Sequence, residues 1–166
     1  LVPGEDGEML LQDDRRTNRR ISPLRAWIPP VGFVVSSLLA LTSLFFAVVW
    51  GLRRLLGWLP APGPWSVRLW PLLGAAALFG CIAFYVAGRS RGYPFLGVPN
   101  RWTIGMMLTS LLIPVATLGS VVAVWRHRRA VMNRFAYWHA VLVTAGLVFL
   151  TGFMLSWGLV GVRMWK

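Results

Sequence analysis

After Asp14 the chain contains no carboxylate: its five acidic residues are Glu5, Asp6, Glu8, Asp13 and Asp14. Over the rest of the sequence this excludes a pair of acids for general acid–base work, an acidic proton relay and an oxygen-rich site for a hard cation. Cysteine is nearly as scarce. Cys81 stands alone inside an apolar run, where it forms no intrachain disulfide and behaves as a small hydrophobe. The two histidines, His127 and His139, lie twelve residues apart, and no H-x-x-x-H or C-x-x-C spacing marks a metal site. No S-x-x-K or G-x-S-x-G motif and no glycine-rich phosphate loop is present. The expectation is therefore no catalytic residue within the chain, no metal and no cofactor.

What remains is apolar residues and arginine. The chain is 57% hydrophobic and 13% charged, a balance outside the soluble norm that points to a membrane protein. Four charge-free stretches, 31–52, 69–88, 102–125 and 135–162, are each long enough to cross about 30 Å of hydrocarbon. Arginines bound every one of them: Arg25 and Arg53, Arg68 and Arg89, Arg101 and Arg126, Arg134 and Arg163. Trp102 and Trp125 are spaced to span about 34 Å of helix, and Trp138 and Trp157 about 28 Å, which suits the two headgroup levels of a bilayer. Short links predict antiparallel neighbours, hence an all-α membrane protein with four transmembrane helices in an up-down bundle. The pairs Ala76 and Gly80, Gly119 and Ala123, and Gly152 and Ser156 offer small-residue packing faces, and Pro114 is expected to bend the third helix.

Residues 1–30 differ in kind. Asp6-Gly7 between apolar pairs reads as a turn or the tail of a hairpin, and RRTNRRISPLRAWIPP as an unpaired cationic approach to the membrane. The opening Leu1 suggests a sequence that starts inside something larger, with the tail of an upstream β-rich domain as one expectation.

Among polar side chains, His139 has two readings. It is an axial ligand to haem or chlorophyll, or an interfacial imidazole served by water beside Tyr137 and Trp138. His127, among Arg126, Arg128 and Arg129, reads as a solvated loop residue. The arginines punctuate helix ends and form no stripe along one element, which argues against nucleic acid and for anionic lipid headgroups as partner. Arg53, Arg54, Arg126, Arg128 and Arg129, with Trp102, Trp125, Trp138 and Trp157, are the expected lipid and topology anchors; specific recognition of one headgroup is the alternative. The loop YPFLGVP either inserts at the interface or meets a partner. The absence of charge inside the spans argues against a channel or transporter.

The last third of the chain, with RFAYWHAVLV after a basic loop, then an apolar run, then SWGLVGVRMW, resembles the C-terminal membrane region of bacterial serine hydrolases of the beta-lactamase (penicillin-binding-protein-like) family. LVPGEDGEMLL and RRISPLRAWIPP are similar to the β-rich segment and join that precede those helices. The resemblance implies a membrane anchor for an exported hydrolase, non-catalytic by itself. It also implies that the catalytic Ser, Lys and Tyr lie upstream of Leu1, and that His139 is not among the catalytic residues. The alternative is an accessory structural subunit of a large membrane complex, photosynthetic or respiratory.

Orientation is finely divided. The N-terminal arm, second loop and C-terminal end hold ten cations against seven on the other side; discounting the arm, as for a segment that follows a translocated domain, leaves five against seven. The expectation is a multi-pass protein of the bacterial inner membrane with both termini exocytoplasmic.

Overall fold

The structure, a computed structural model, describes residues 2–3, 9–13, 16–19, 22–58, 64–92, 97–129 and 133–161. Its contacts divide the chain into two compact units, Leu1–Val31 and Gly32–Lys166.

The first unit contains a three-stranded antiparallel sheet in the order β1 (Val2–Pro3), β2 (Met9–Asp13), β3 (Arg16–Arg19). Val2 pairs with Leu10, and Leu11 with Asn18. The Asp6-Gly7 turn itself lies outside the described residues, but the strands on either side of it pair as a hairpin. The unpaired cationic approach is corrected at two places. Arg16–Arg19 is a strand, because pairing with β2 satisfies backbone groups that the edge of that strand would otherwise present to solvent. From Pro23 the chain is already helical. Ser22 accepts the Ala26 amide at 3.1 Å through its carbonyl, and Pro23 fills the first helical position, where a missing N–H costs nothing.

Four helices follow: α1 (Pro23–Leu55), α2 (Trp65–Arg89), α3 (Arg101–Arg126) and α4 (Arg134–Ser156). All four are long and apolar enough to cross a membrane. Glycines set two of the ends. At Gly57 (φ +71°) the amides of Gly57 and Trp58 donate back to the Arg54 and Arg53 carbonyls. At Gly158 (φ +64°) those of Gly158 and Leu159 donate to Leu155 and Met154. Both closures need the left-handed conformation that glycine adopts without strain. They carry α1 past Leu52 to Leu55 and stop α4 at Ser156, short of the expected Val162. Asn100 starts α3 with a capping box: its Oδ1 accepts from the Trp102 and Thr103 amides at 2.9 and 3.1 Å, while its own amide donates to Thr103 Oγ1 at 3.0 Å. α3 runs unbroken through Pro114.

Contacts within the second unit fix each helix direction. Phe84 meets Gly105, Gly80 meets Thr109 and Trp70 meets Gly119, so α2 and α3 are antiparallel. Thr117 and Thr151, with hydroxyls 2.9 Å apart, and Tyr137, whose hydroxyl donates to the Val124 carbonyl at 3.4 Å, join α3 to an antiparallel α4, and Phe33 beside Phe153 and Phe46 beside Phe135 do the same for α1 and α4. The result is the expected all-α, up-down four-helix bundle.

Its packing is inverted relative to a soluble bundle. Alanines dominate the interior, Ala40, Ala75, Ala116 and Ala123 among them, with Ile113, Leu147 and Leu150 as the large buried side chains. Phe45, Val48, Leu118 and Val122 point outward and are more than half exposed. In water such a surface would be one apolar patch, whereas in lipid it carries no penalty, and close backbone approach becomes the main source of packing. Three buried hydroxyls are closed onto their own helices: Thr117 donates to Ile113, Ser120 to Ala116 and Thr144 to Ala140, each to the carbonyl one turn earlier.

The expected small-residue faces are realised only in part. Gly119 receives the ring of Trp70, and Ala123 is buried. By contrast, Ala76 and Ser156 are exposed and nothing approaches Gly152. Comparably close approaches also fall elsewhere, at Gly32 beneath Phe149, Gly74 beneath Leu147 and Gly105 beneath Phe84.

Candidate functional site at the cationic end of the bundle

Antiparallel packing gathers the end of α1, the start of α2, the end of α3 and the start of α4 at one end of the second unit. Most of the expected anchors meet there. Arg53 and Arg54 occupy the last turn of α1, Arg126 ends α3, and Arg128 and Arg129 follow in the turn; Trp125 and Trp138 are well exposed on the same end. The Arg128 guanidinium lies 4.8 Å from the Trp125 ring. At the opposite end Trp102 is covered by Arg101 at 4.6 Å, and Trp157, the C-cap of α4, packs on Phe153 with ring centroids 5.8 Å apart. Arginine over indole combines cation–π attraction with an amphipathic pair suited to headgroup depth. Cations at the C-terminal turns of α1 and α3 also face the negative ends of their helix dipoles.

The tightest constellation is one that helix-end patterns do not reveal. Trp50 of α1 and Trp65 of α2 meet edge to face with centroids 4.9 Å apart. The Arg54 guanidinium sits 3.9 Å from the Trp65 ring and 5.8 Å from Trp50, and that of Arg68 is 5.2 Å from Trp50. Two cations therefore share one aromatic pair. Arg68 is half-buried, and its Nε–H is shielded from solvent with no hydrogen-bond acceptor. In the sequence Arg68 marks only a boundary. The signal for its role was present as spacing, since Trp50 and Arg54 are four apart, and Trp65 and Arg68 three apart, each pair on one helix face.

His139 lies beside this cluster and is tied to α1. Its Nε2 is 3.0 Å from Thr42 Oγ1, and its ring stacks on Phe46 with centroids 4.7 Å apart and planes inclined by 22°. The Thr42 hydroxyl donates to the Leu39 carbonyl at 2.7 Å, so its oxygen is the acceptor and Nε2 carries the proton. Thr42 thus takes the role expected of water. The same assignment directs the hydroxyl proton away from the imidazole, the reverse of a nucleophile–base pair. His127 caps α3, with Nδ1 3.0 Å from the Ala123 carbonyl.

Between α1, α2 and α4 a cavity of about 50 Å³ is bordered by Phe46, Ala47, Leu69 and Leu72, with Arg68 and His139 on its polar side. That volume is far short of the ~300 Å³ at which pockets that enclose a whole small molecule or cofactor begin, and has room for no more than a few methylene groups. Among the described residues no three His, Cys, Asp or Glu side chains converge on a metal position. Residues 93–96 of YPFLGVP lie outside the described residues; Val98 beyond them is exposed.

Fold and site together define a class, that of a multi-pass, all-α membrane bundle with one strongly cationic end. No protein-family model, curated protein or solved structure matches the chain.

Proposed function

We propose that this chain is the membrane-anchoring four-helix region of a larger exported serine hydrolase of the beta-lactamase family, without catalytic activity of its own. The observation that supports this best is the inverted bundle itself: four helices long and apolar enough for lipid, with their large apolar side chains turned outward and small residues inside. The first resembling segment, RFAYWHAVLV, opens α4, and residues 156–161 of the second follow directly where α4 ends. In this reading the bundle sits in the bacterial inner membrane, both termini are exocytoplasmic and the cationic end meets anionic lipid on the cytoplasmic side, in keeping with the positive-inside rule. Its partner is the bilayer, not nucleic acid.

The test is the coding sequence upstream of Leu1 together with a fluorescent penicillin. An in-frame domain bearing S-x-x-K, labelled in the full protein while the isolated bundle stays unlabelled, is the expected result. An upstream sequence without such a domain, or covalent labelling of the bundle alone, overturns the reading.

One observation favours a second reading, that of an accessory structural subunit in a large membrane complex. The α4 face that bears Gly152 and Ser156 has open space above it, room for a helix from another chain. Co-purification of a stoichiometric membrane partner that is lost on Gly152→Leu supports this second reading.

A further inference from the structure

The Trp50–Trp65 pair holds two guanidiniums in a chain that has no anion after Asp14. Two like charges on one aromatic pair repel, and cation–π contact offsets only part of that repulsion. The Arg68 Nε–H is in addition shielded from water and has no acceptor among the described residues. That repulsion is relieved by a single anion that offers its oxygens to both guanidiniums, the chemistry by which arginine binds phosphate.

Position selects the source of that phosphate. Arg68 lies in the first turn of α2, at the level of Trp50, Trp65 and Arg54, where the phosphates of a bilayer are found. The adjoining slot is walled by Phe46, Ala47, Leu69 and Leu72, an apolar lining that suits hydrocarbon and not a hydrated free ion. With two cations, and no Asp or Glu in residues 32–166, such a site would discriminate against lipids whose headgroup carries its own positive charge. We propose that this slot is a specific site for one anionic phospholipid, its phosphodiester on Arg68 and Arg54 and the start of an acyl chain along Ala47 and Leu72. The proposal rests on membrane insertion of the bundle and is independent of any upstream hydrolase.

Native mass spectrometry of the purified chain, titrated in detergent with dioleoyl phosphatidylglycerol or dioleoyl phosphatidylcholine, tests it. The wild type is expected to retain one phosphatidylglycerol with a preference of about tenfold or more over phosphatidylcholine, the scale of a charge-assisted hydrogen bond. Arg68→Gln, which removes the charge, and Ala47→Leu, which fills the slot and leaves every charge in place, should each abolish that preference. Arg129→Gln, at the same end but away from the slot, should leave it within about twofold, as for a surface charge. If Arg68→Gln does not fold, Ala47→Leu decides the matter. A folded Ala47→Leu that keeps the preference overturns the site. An equal loss in Arg129→Gln shows diffuse attraction to the whole end and overturns it as well. Displacement of bound phosphatidylglycerol by inorganic phosphate shows a small-anion site and overturns the lipid assignment. Absence of an upstream hydrolase domain leaves all these outcomes unchanged.

Discussion

His139 illustrates how one side chain's role is settled by what its neighbour does with a proton. Because Thr42 gives its hydrogen to Leu39, the imidazole becomes a donor to α1, and its face is occupied by Phe46. It acts as a staple between two helices. The expected consequence is a coupling energy of about 0.6–1.7 kcal/mol in a double-mutant cycle of Thr42→Val and His139→Phe, the range for interhelical hydrogen bonds within membranes. Detergent-titrated unfolding of the four proteins measures it, and strict additivity would show that the pair contributes nothing. Ligation of a haem or chlorophyll through Nε2 requires this bond to break, so His139 ligation predicts an absorbance band that Thr42→Val strengthens. The hydrogen-bond assignment instead predicts that Thr42→Val leaves the absorbance of the purified chain unchanged.

Helices carry the next level of argument, through their glycines and caps. Gly74 lies beneath Leu147, which is 1% exposed; a methyl at Gly74 would come within 2.6 Å of its Cδ1. Gly74→Ala is therefore expected to destabilise the bundle by about 1–3 kcal/mol through overpacking. Gly152→Ala meets nothing and should be neutral, or stabilising by up to about 1 kcal/mol as helix entropy is recovered. Thermal unfolding in micelles separates the two, and equal effects would show that the close approach at Gly74 is not felt. Asn100→Ala removes the acceptor for two α3 amides and should cost about 1 kcal/mol in the same assay. Four-residue spacing in the sequence correctly marked Gly119 but could not find Gly74, Gly105 or Gly32. A close approach depends on the large side chain opposite, Leu147, Phe84 or Phe149, and that partner belongs to another helix.

At the scale of the whole molecule, the bundle was legible because charge is absent from its spans and arginine marks their ends. Residue composition alone separates lipid-facing helix from water-facing loop. The Arg–Trp cluster was not legible, since Trp50 and Trp65 lie on different helices and become neighbours only when α1 and α2 pack. The β-strand at Arg16–Arg19 was masked by its charge, which reads as solvated arm until backbone pairing is considered. Orientation is the large-scale property most open to test. Single cysteines at Arg129 and at Val98, introduced after replacement of Cys81, sit at opposite ends of the bundle. With an impermeant thiol reagent on intact cells, the Val98 position is expected to label and the Arg129 position to stay protected; the converse pattern establishes the reverse orientation.

The turn that closes α4 has a consequence of its own. Gly161 donates its amide to Ser110 Oγ at 3.0 Å, and Ser110 lies about 14 Å along α3 from its start, so this turn comes back over the body of α3. The amides of Gly158, Leu159 and Gly161 all have acceptors, the last supplied by a side chain on another helix. Deuterium should therefore enter these backbone positions slowly, at rates closer to those of a helix than of a loop. Replacing Ser110 with alanine should speed exchange at Gly161 while leaving Gly158 and Leu159, which depend only on α4, as they were.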